Sequence, residues 1–157
     1  MTTVKPIPDG YTTVTPHLVL SDATKAIEFY KTAFGAKELA RMTAPDGKSI
    51  IHAEIQIGNA IVMICDEFPE MGCLSPEKIG GSSTSLFLYV EDVDATYKKA
   101  LEAGCKELMP VADMFWGDRY GQVQDPYGHR WAIATHIKDV TPEEMQEAAK
   151  KLFSKKE

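Results

Sequence analysis

Three features of this sequence predict an α+β fold, in which two βαβββ modules in tandem are followed by a C-terminal helix. First, the chain repeats itself at an offset of 69 or 70 residues, with AFGAKEL at residues 33–39 and EAGCKEL at residues 102–108. Second, a short apolar stretch, an acidic turn and a helical pattern precede each copy. Third, strand-like segments follow each copy and end at Gly58 or Gly128. Two copies of one period predict paired modules that form a curled mixed sheet around a cleft for a ligand.

Length and composition predict one cytoplasmic domain over residues 1–157. With 44% hydrophobic and 25% charged residues, the chain can bury a normal core without disulfides or metal. A net charge of −6 and the lack of a basic run argue against nucleic acid or an anionic membrane as a partner. Cys65, Cys73 and Cys105 are odd in number and lack Cys-x-x-Cys spacing, which indicates a reducing compartment. We see neither a membrane-spanning apolar run nor a signal peptide.

Module one is predicted at about residues 12–66. Its first strand, residues 14–20, contains Pro16 and is therefore expected at an edge or an irregular start. Ser21 and Asp22 provide the N-cap of a helix that Gly35 ends. The apolar face of this helix has helical spacing and consists of Ala23, Ala26, Ile27, Tyr30 and Phe34. Three strands follow, at residues 37–42, 50–57 and 60–65.

Module two, at about residues 84–137, repeats this plan after a linker at residues 67–83 that is rich in Gly, Ser and Pro. Asp92 caps its helix and Gly104 ends it. The predicted elements are a strand at residues 85–90, a helix at residues 93–103, and strands at residues 106–110, 119–124 and 130–135.

A C-terminal helix is predicted at about residues 141–154. Thr141-Pro142-Glu143-Glu144 combines an N-cap, a proline at the first helical position and a capping box. The helix carries an apolar stripe that we expect to pack on the body of the protein or on a second subunit. The stripe consists of Met145, Ala148, Ala149 and Leu152.

Three motifs in this order resemble the vicinal oxygen chelate superfamily, which contains glyoxalase I, bleomycin-resistance proteins and extradiol dioxygenases. They are AIEFY at residues 26–30 leading into Phe34-Gly35, WGDR at residues 116–119, and DPYGH at residues 125–129. The last two are similar to the PhnB-like branch. The resemblance covers roughly residues 12–137 and implies a curled sheet with a binding site on its concave face. It does not imply one reaction, because function is carried by the site.

The resemblance also implies where a metal would bind. In metal-dependent members, His or Glu ligands lie on the first and last strand of each module. The positions that match them here are Thr15, Val62 or Met63, Ser85 and Ala132. None is a normal ligand for a divalent ion. The usual metal site is therefore expected to be lost, and no cofactor is expected.

An atypical metal site is the alternative. His17 lies two residues beyond Thr15, and His52 and Glu54 alternate with apolar residues on a predicted strand. These three side chains would hold Zn, Ni, Mn or Fe, with Glu54 as the catalytic carboxylate. At an offset of 70, Gln122 and Gln124 match His52 and Glu54. All five side chains are candidate ligand contacts in a hydrated cleft wall, and the simpler interpretation is a solvent-facing surface.

Further candidate ligand contacts are Phe87, Tyr89, Trp116 and Arg119. Aromatic faces suit a flat ligand, and a guanidinium suits an anionic oxygen. The alternatives are core packing for the aromatic residues and a local Asp118–Arg119 ion pair.

Three functions follow from these observations. The first is a bleomycin-resistance-like protein that binds a small aromatic or amphipathic molecule, as a homodimer. The second is a divalent-metal lyase, isomerase or dioxygenase of the glyoxalase type, which would lose activity on chelation. The third is a dimeric interaction or regulatory module, which a self-filled cleft would favour. We predict the first and leave catalysis open.

Overall fold

Residues 4–154 are described by a computed structural model, which confirms the α+β class, the tandem βαβββ plan and the C-terminal helix. Module one contains β1 (His17–Leu20), α1 (Ala23–Phe34), β2 (Lys37–Thr43), β3 (Ile50–Ile57) and β4 (Ala60–Asp66). The predicted linker contains a 3-10 turn (Pro69–Met71) and a one-turn helix, α2 (Pro76–Ile79). Module two contains β5 (Ser85–Tyr89), α3 (Val93–Ala103), β6 (Lys106–Asp113), β7 (Asp118–Gln124) and β8 (Arg130–His136), and α4 (Pro142–Phe153) follows.

The strands form two four-stranded mixed sheets with the same internal order. The first sheet has the order β1-β4-β3-β2 and the second the order β5-β8-β7-β6. In each sheet the first strand of the module pairs parallel with its last strand, and the other neighbours are antiparallel. The register confirms this equivalence, since His17 pairs with Met63 in the first sheet and Phe87 pairs with Ala132 in the second.

The chain divides into two compact units whose boundaries differ slightly from those of the modules. Unit 1 is the chain up to Ser83 together with the short segment Pro126–His129. Unit 2 is Thr84–Asp125 together with the chain from Arg130 onward. The segment Pro126–His129 connects β7 to β8, so unit 1 receives four residues from within the sequence of module two.

Local signals place both long module helices. The Asp22 carboxylate accepts a hydrogen bond from the Lys25 N–H at the start of α1, and Asp92 does the same for Ala95 in α3. Each helix ends at a glycine in the left-handed conformation, Gly35 with φ 66° in α1 and Gly104 in α3. A residue with a Cβ would be strained in this backbone conformation, so glycine ends the helix at little cost in free energy.

The core of module one lies between its sheet and α1. Alternation along β3 buries Ala53, Ile55 and Ile57 on the helix side, and Tyr30 of α1 is fully buried. In module two the equivalent side of the sheet faces α3. There Gly121 of β7 has no side chain, so that the ring of Tyr97 can lie close to the strand: a Cβ on Gly121 would be 2.8 Å from Tyr97 Cε2.

Two strand boundaries differ from the prediction for a physical reason. β1 begins at His17 instead of residue 14, because Pro16 has no N–H and the Thr15 hydroxyl donates to the Thr12 carbonyl in a local turn. β6 extends beyond Pro110 to Asp113, with register irregularities on the way. It is an edge strand, where a missing N–H costs little.

In the described part of the chain, no helix is both long enough and apolar enough to cross a bilayer.

Candidate functional site

Module one presents a polar cluster on the side of its sheet opposite α1. Adjacent strands place His17, Met63 and Glu54 in one row across the sheet, since His17 pairs with Met63 and Met63 pairs with Glu54. His52 lies two residues before Glu54 on the same side. The three polar residues that were predicted as an atypical site therefore do share one surface.

Hydrogen bonds tie this cluster together. His52 Nε2 lies 3.0 Å from Glu54 Oε1, and the ring centroids of His17 and His52 are 6.4 Å apart. The Tyr11 hydroxyl donates to the Glu54 carboxylate, which raises the pKa of Tyr11. The Tyr11 bond, and secondarily the His52 bond, lowers the pKa of Glu54, so this carboxylate is ionised at neutral pH.

His17 is held in its neutral form. Partial burial, and to a smaller extent the nearby His52, lowers its pKa. A neutral imidazole offers one donor and one acceptor, so the cluster presents both kinds of hydrogen-bonding group. Tyr11 was not predicted as part of it, and no sequence signal places a residue before β1 beside Glu54.

Metal binding is not supported by the arrangement of these side chains. Within residues 4–154, no group of three or more His, Cys, Asp or Glu is placed to hold a metal ion. The position equivalent to the family's first ligand, Thr15, lies before β1, and Ala132 is a buried methyl side chain in β8. The donor set therefore does not fit a divalent ion as arranged.

Module two presents an aromatic surface at the equivalent place, opposite α3. Phe87 and Tyr89 lie on β5 with ring centroids 4.9 Å apart, and Tyr120 on β7 is 5.7 Å from Phe87. Between them, β8 contributes only the methyl side chains of Ala132 and Ala134, which pair with Phe87 and Tyr89. Rings from two strands can meet across β8 because these two side chains are small.

Trp116 extends this aromatic surface, with its ring centroid 5.6 Å from that of Tyr120. We call Phe87, Tyr89, Trp116 and Tyr120 the aromatic face. Phe87 is 48% exposed and Tyr89 is 66% exposed, whereas Tyr120 is buried beneath them. The aromatic face therefore offers two accessible rings on a packed base.

A buried carboxylate anchors the aromatic face. Asp118 is 3% exposed, and its Oδ2 accepts hydrogen bonds from the Tyr89 hydroxyl and from Trp116 Nε1, each at 3.0 Å. Its Oδ1 lies 2.9 Å from His136 Nδ1. The bond to Asp118 raises the pKa of Tyr89, so the phenol stays protonated and remains a donor.

His136 is expected to stabilise the fold more at low pH. Bonds to Asp139, the larger cause, and to Asp118 raise its pKa above the ordinary value near 6.5. Its contribution is therefore fully present below the unfolded-state pKa and is lost as the pH rises through the higher folded-state pKa. We expect urea denaturation to show a larger stability difference between wild type and His136→Gln at about pH 5.5 than at about pH 8.5. An Asp139→Asn control should lower the His136 pKa in an NMR titration, and an unchanged value would contradict this account.

Arg119 lies away from the aromatic face. Successive residues of a strand point to opposite sides, so Asp118 faces the aromatic residues and Arg119 faces α3. The Arg119 guanidinium bonds Asp94 at 2.7 and 2.8 Å and Asp113 at 2.9 Å. Asp118 and Arg119 thus have separate partners and do not form the local pair considered from the sequence.

Gln122 and Gln124 lie on the same side of β7 as Tyr120. The Gln122 amide donates to the Tyr120 hydroxyl. The register makes Gln122 the equivalent of Glu54 and Tyr120 the equivalent of His52, because Gln122 shares its row with Ala132 and Phe87. An offset of 70 matched His52 with Gln122. The structure instead matches His52 with Tyr120, two residues earlier.

Module one also contains a hydrophilic pocket of about 320 Å³ that was not predicted. It is lined by Ser21, Asp22, Thr24, Lys48, Ser49, Asp66 and Glu67. The Asp66 carboxylate accepts hydrogen bonds from the N–H groups of Ala23 and Ile50 at 2.7 and 2.6 Å. Asp66 therefore joins the start of α1 to the start of β3, which is a structural role.

Comparison with known proteins places this fold in a family. The profile of the glyoxalase/bleomycin resistance protein/dioxygenase superfamily matches residues 12–133. The chain belongs to this superfamily. An uncharacterized protein of Mycobacterium bovis, Mb0911c, is 43% identical to this superfamily member over 138 residues, which are 86% of this chain and 90% of the relative.

Solved structures agree with this membership. TioX from Micromonospora sp. ML1 is 28% identical, with a TM-score of 0.63 over 80% of this chain and 99% of TioX. The PhnB protein of Bacillus cereus is 20% identical, with a TM-score of 0.61 over 79% of this chain and 99% of that protein, a similarity of fold alone. The cleft that the repeat predicts between the modules stays a prediction.

Proposed function

We propose that this superfamily member is a bleomycin-resistance-like protein that binds a flat, ring-containing small molecule against its aromatic face. The observation that carries the proposal is the packing of four aromatic side chains on the side of the second sheet opposite α3, with Phe87 and Tyr89 left 48% and 66% exposed. Exposed aromatic residues packed on each other are uncommon on a surface without a binding role.

The hydrogen bonds of Asp118 support the same proposal. They hold Tyr89 and Trp116 in fixed orientations before any ligand arrives. A ring that is already ordered loses little conformational entropy on binding, so more of the stacking energy contributes to affinity. Offset or edge-to-face contacts between aromatic rings contribute about 0.5–1.5 kcal/mol each beyond the area they bury.

The polar cluster of module one is proposed as a second contact surface, for hydroxyl, amide or carbonyl groups. It offers an ionised carboxylate at Glu54, a neutral imidazole at His17 and the partly exposed ring of His52. These groups recognise polar atoms by hydrogen bonds, whereas the aromatic face recognises rings.

Removal of the Phe87 ring is expected to weaken binding about five- to thirtyfold, because a central aromatic contact at a binding site contributes roughly 1–2 kcal/mol. A thermal-shift screen of planar fused-ring compounds would supply the ligand, and calorimetry would measure its affinity for wild type and Phe87→Ala. Tyr89→Phe keeps the ring and tests the hydroxyl alone. Phe153→Ala, which removes a ring 65% exposed on α4, is the matched control.

Two outcomes would contradict the proposal: failure of every planar compound to bind, or equal affinity in wild type and Phe87→Ala. Tryptophan fluorescence locates the ligand independently. Trp116 is part of the aromatic face, whereas Trp131 is fully buried in the core. A ligand on the aromatic face should change the emission of wild type and leave that of Trp116→Phe nearly unchanged.

A divalent-metal lyase, isomerase or dioxygenase is the alternative function. It would need His17, His52 and Glu54 as ligands, and these side chains are not placed to hold an ion in the described structure. Metal content by mass spectrometry, after incubation with Ni²⁺, Zn²⁺, Mn²⁺ or Fe²⁺, tests this alternative. One tightly held ion per chain in wild type, lost in His17→Ala, would favour the metal enzyme.

A further inference from the structure

The buried Asp118 carboxylate places a negative charge at the edge of the aromatic face. The Tyr89 hydroxyl and Trp116 Nε1 donate to its Oδ2, and His136 Nδ1 lies against its Oδ1. Because both oxygens are acceptors, the group has the hydrogen-bonding pattern of an ionised carboxyl. The phenol and the indole are neutral donors, so they stabilise the charge without cancelling it.

The charge of Asp118 is only weakly compensated by the protein. Within residues 4–154, the basic side chain at ion-pair distance from Asp118 is His136, whose ring is about half exposed and shares its other nitrogen with Asp139. Arg119, the next residue along β7, bonds two other carboxylates. Above its folded-state pKa, His136 is uncharged, and Asp118 then has no cationic partner among these residues. A buried charge without such a partner is stabilised by any cation that can approach it.

The angles between the rings favour a positively charged ligand over a neutral one. Phe87 is tilted by 43° from Tyr89 and by 34° from Tyr120. Trp116 stands nearly edge-on to Tyr120, at 76°. A neutral flat ring can stack on one of these planes and meets the others at an angle, whereas a cation is attracted by every ring face within about 6 Å. Hydrogen bonds from Tyr89 and Trp116 to a carboxylate also make their rings more electron-rich, which strengthens that attraction.

We propose that the aromatic face selects planar organic cations, and that Asp118 is the residue that determines this selectivity. The inference rests on the proposed function, because it specifies the charge of the ring-containing molecule that binds there. The preferred ligand is a heteroaromatic ring with a permanent positive charge, such as a quaternary ring nitrogen. An anionic ring of the same shape is repelled by Asp118 and by the net charge of −6.

Three bicyclic compounds of similar shape separate charge from stacking: N-methylquinolinium, the neutral 4-methylquinoline and naphthalene-2-carboxylate. Calorimetry at pH 8.5 should show that the cation binds at least about tenfold more tightly than the neutral ring and that the anion binds most weakly. Equal affinities for the cation and the neutral ring would overturn this inference and leave the proposed function standing. Failure of all three compounds to bind would overturn both.

Variants of the carboxylate and its neighbour test the role of Asp118. Asp118→Asn removes the charge but keeps an acceptor for Tyr89 and Trp116, so it should weaken binding of the cation about tenfold and that of 4-methylquinoline less than about twofold. His136→Lys leaves the buried carboxylate in place and adds a permanent positive charge beside it, which tests the same point on a half-exposed residue if Asp118→Asn does not fold. It should weaken binding of the cation about fivefold. Glu102→Gln is the matched control, because it makes the same change in charge at an exposed site on α3, on the other side of the sheet. Equal losses of cation affinity in His136→Lys and Glu102→Gln would overturn the role of Asp118.

Discussion

Replacement of Trp131 by alanine is expected to destabilise the protein by about 3–5 kcal/mol, which is the range for large buried aromatic side chains. Trp131 on β8 is fully buried, and its Nε1 donates a hydrogen bond of 2.8 Å to Asp125 Oδ2. Asp125 is itself only 3% exposed. The variant would leave a cavity in the core of module two and take a donor from a buried carboxylate, and both effects reduce stability.

Urea denaturation would measure this loss, with Trp131→Phe to separate the two causes. Phenylalanine keeps most of the apolar volume and removes the N–H, so we expect an intermediate loss. Trp116→Ala is the comparison variant, because Trp116 belongs to the aromatic face and is only partly buried, against Tyr120, Ala132 and Ala134. A loss at Trp131→Ala no larger than that at Trp116→Ala would contradict the role assigned to Trp131.

Alanine at Gly117 is expected to cost about 3 kcal/mol, because backbone strain and a steric clash add. Gly117 has φ 100°, a conformation that L-residues rarely adopt, and a Cβ there would be only 2.0 Å from the carbonyl oxygen of Lys138. Its own carbonyl accepts hydrogen bonds from the N–H groups of Ile137 and Lys138. The segment that follows β8 is therefore held directly against Gly117, which explains the glycine of the WGDR motif.

Gly47→Ala is the matched control for this experiment. Gly47 also has a positive φ, 68°, but no atom lies within 4 Å of the position that a Cβ would take. Only the conformational strain remains, and we expect a loss of about 1–2 kcal/mol. Equal melting temperatures for the two variants would show that the segment after β8 can move away from Gly117.

The elements of this fold were predictable from the sequence because their signals are local. Asp22 and Gly35 mark the ends of α1, and the alternation in β3 separates buried Ala53 from polar His52 and Glu54. The order of the strands within each sheet was not predicted, because a parallel pairing of the first strand with the last has no local signature.

The candidate site was less predictable, because it depends on register and on distant partners. An offset of 70 matched His52 to Gln122, whereas pairing across β8 makes Tyr120 its equivalent. Arg119 was expected to contact a ligand, but its guanidinium bonds Asp94, 25 residues earlier in the chain, and Asp113 on the neighbouring strand β6. One part of the site could have been predicted: alternation along β7 indicates from the sequence that Asp118 and Arg119 point to opposite sides of the sheet.

The four residues that unit 1 takes from the β7–β8 connection affect how the protein can be made. Within unit 1, Tyr127 contacts the rings of Phe29 and Tyr30, and His129 Nε2 donates to the Val19 carbonyl at 3.0 Å. A ribosome therefore has to synthesise the chain as far as His129 before every part of unit 1 exists. A nascent chain that has reached Ser83 lacks those partners, so the N-terminal half does not mature first in the usual order of translation. For the same reason, the two repeats cannot be separated by a single cut in the gene.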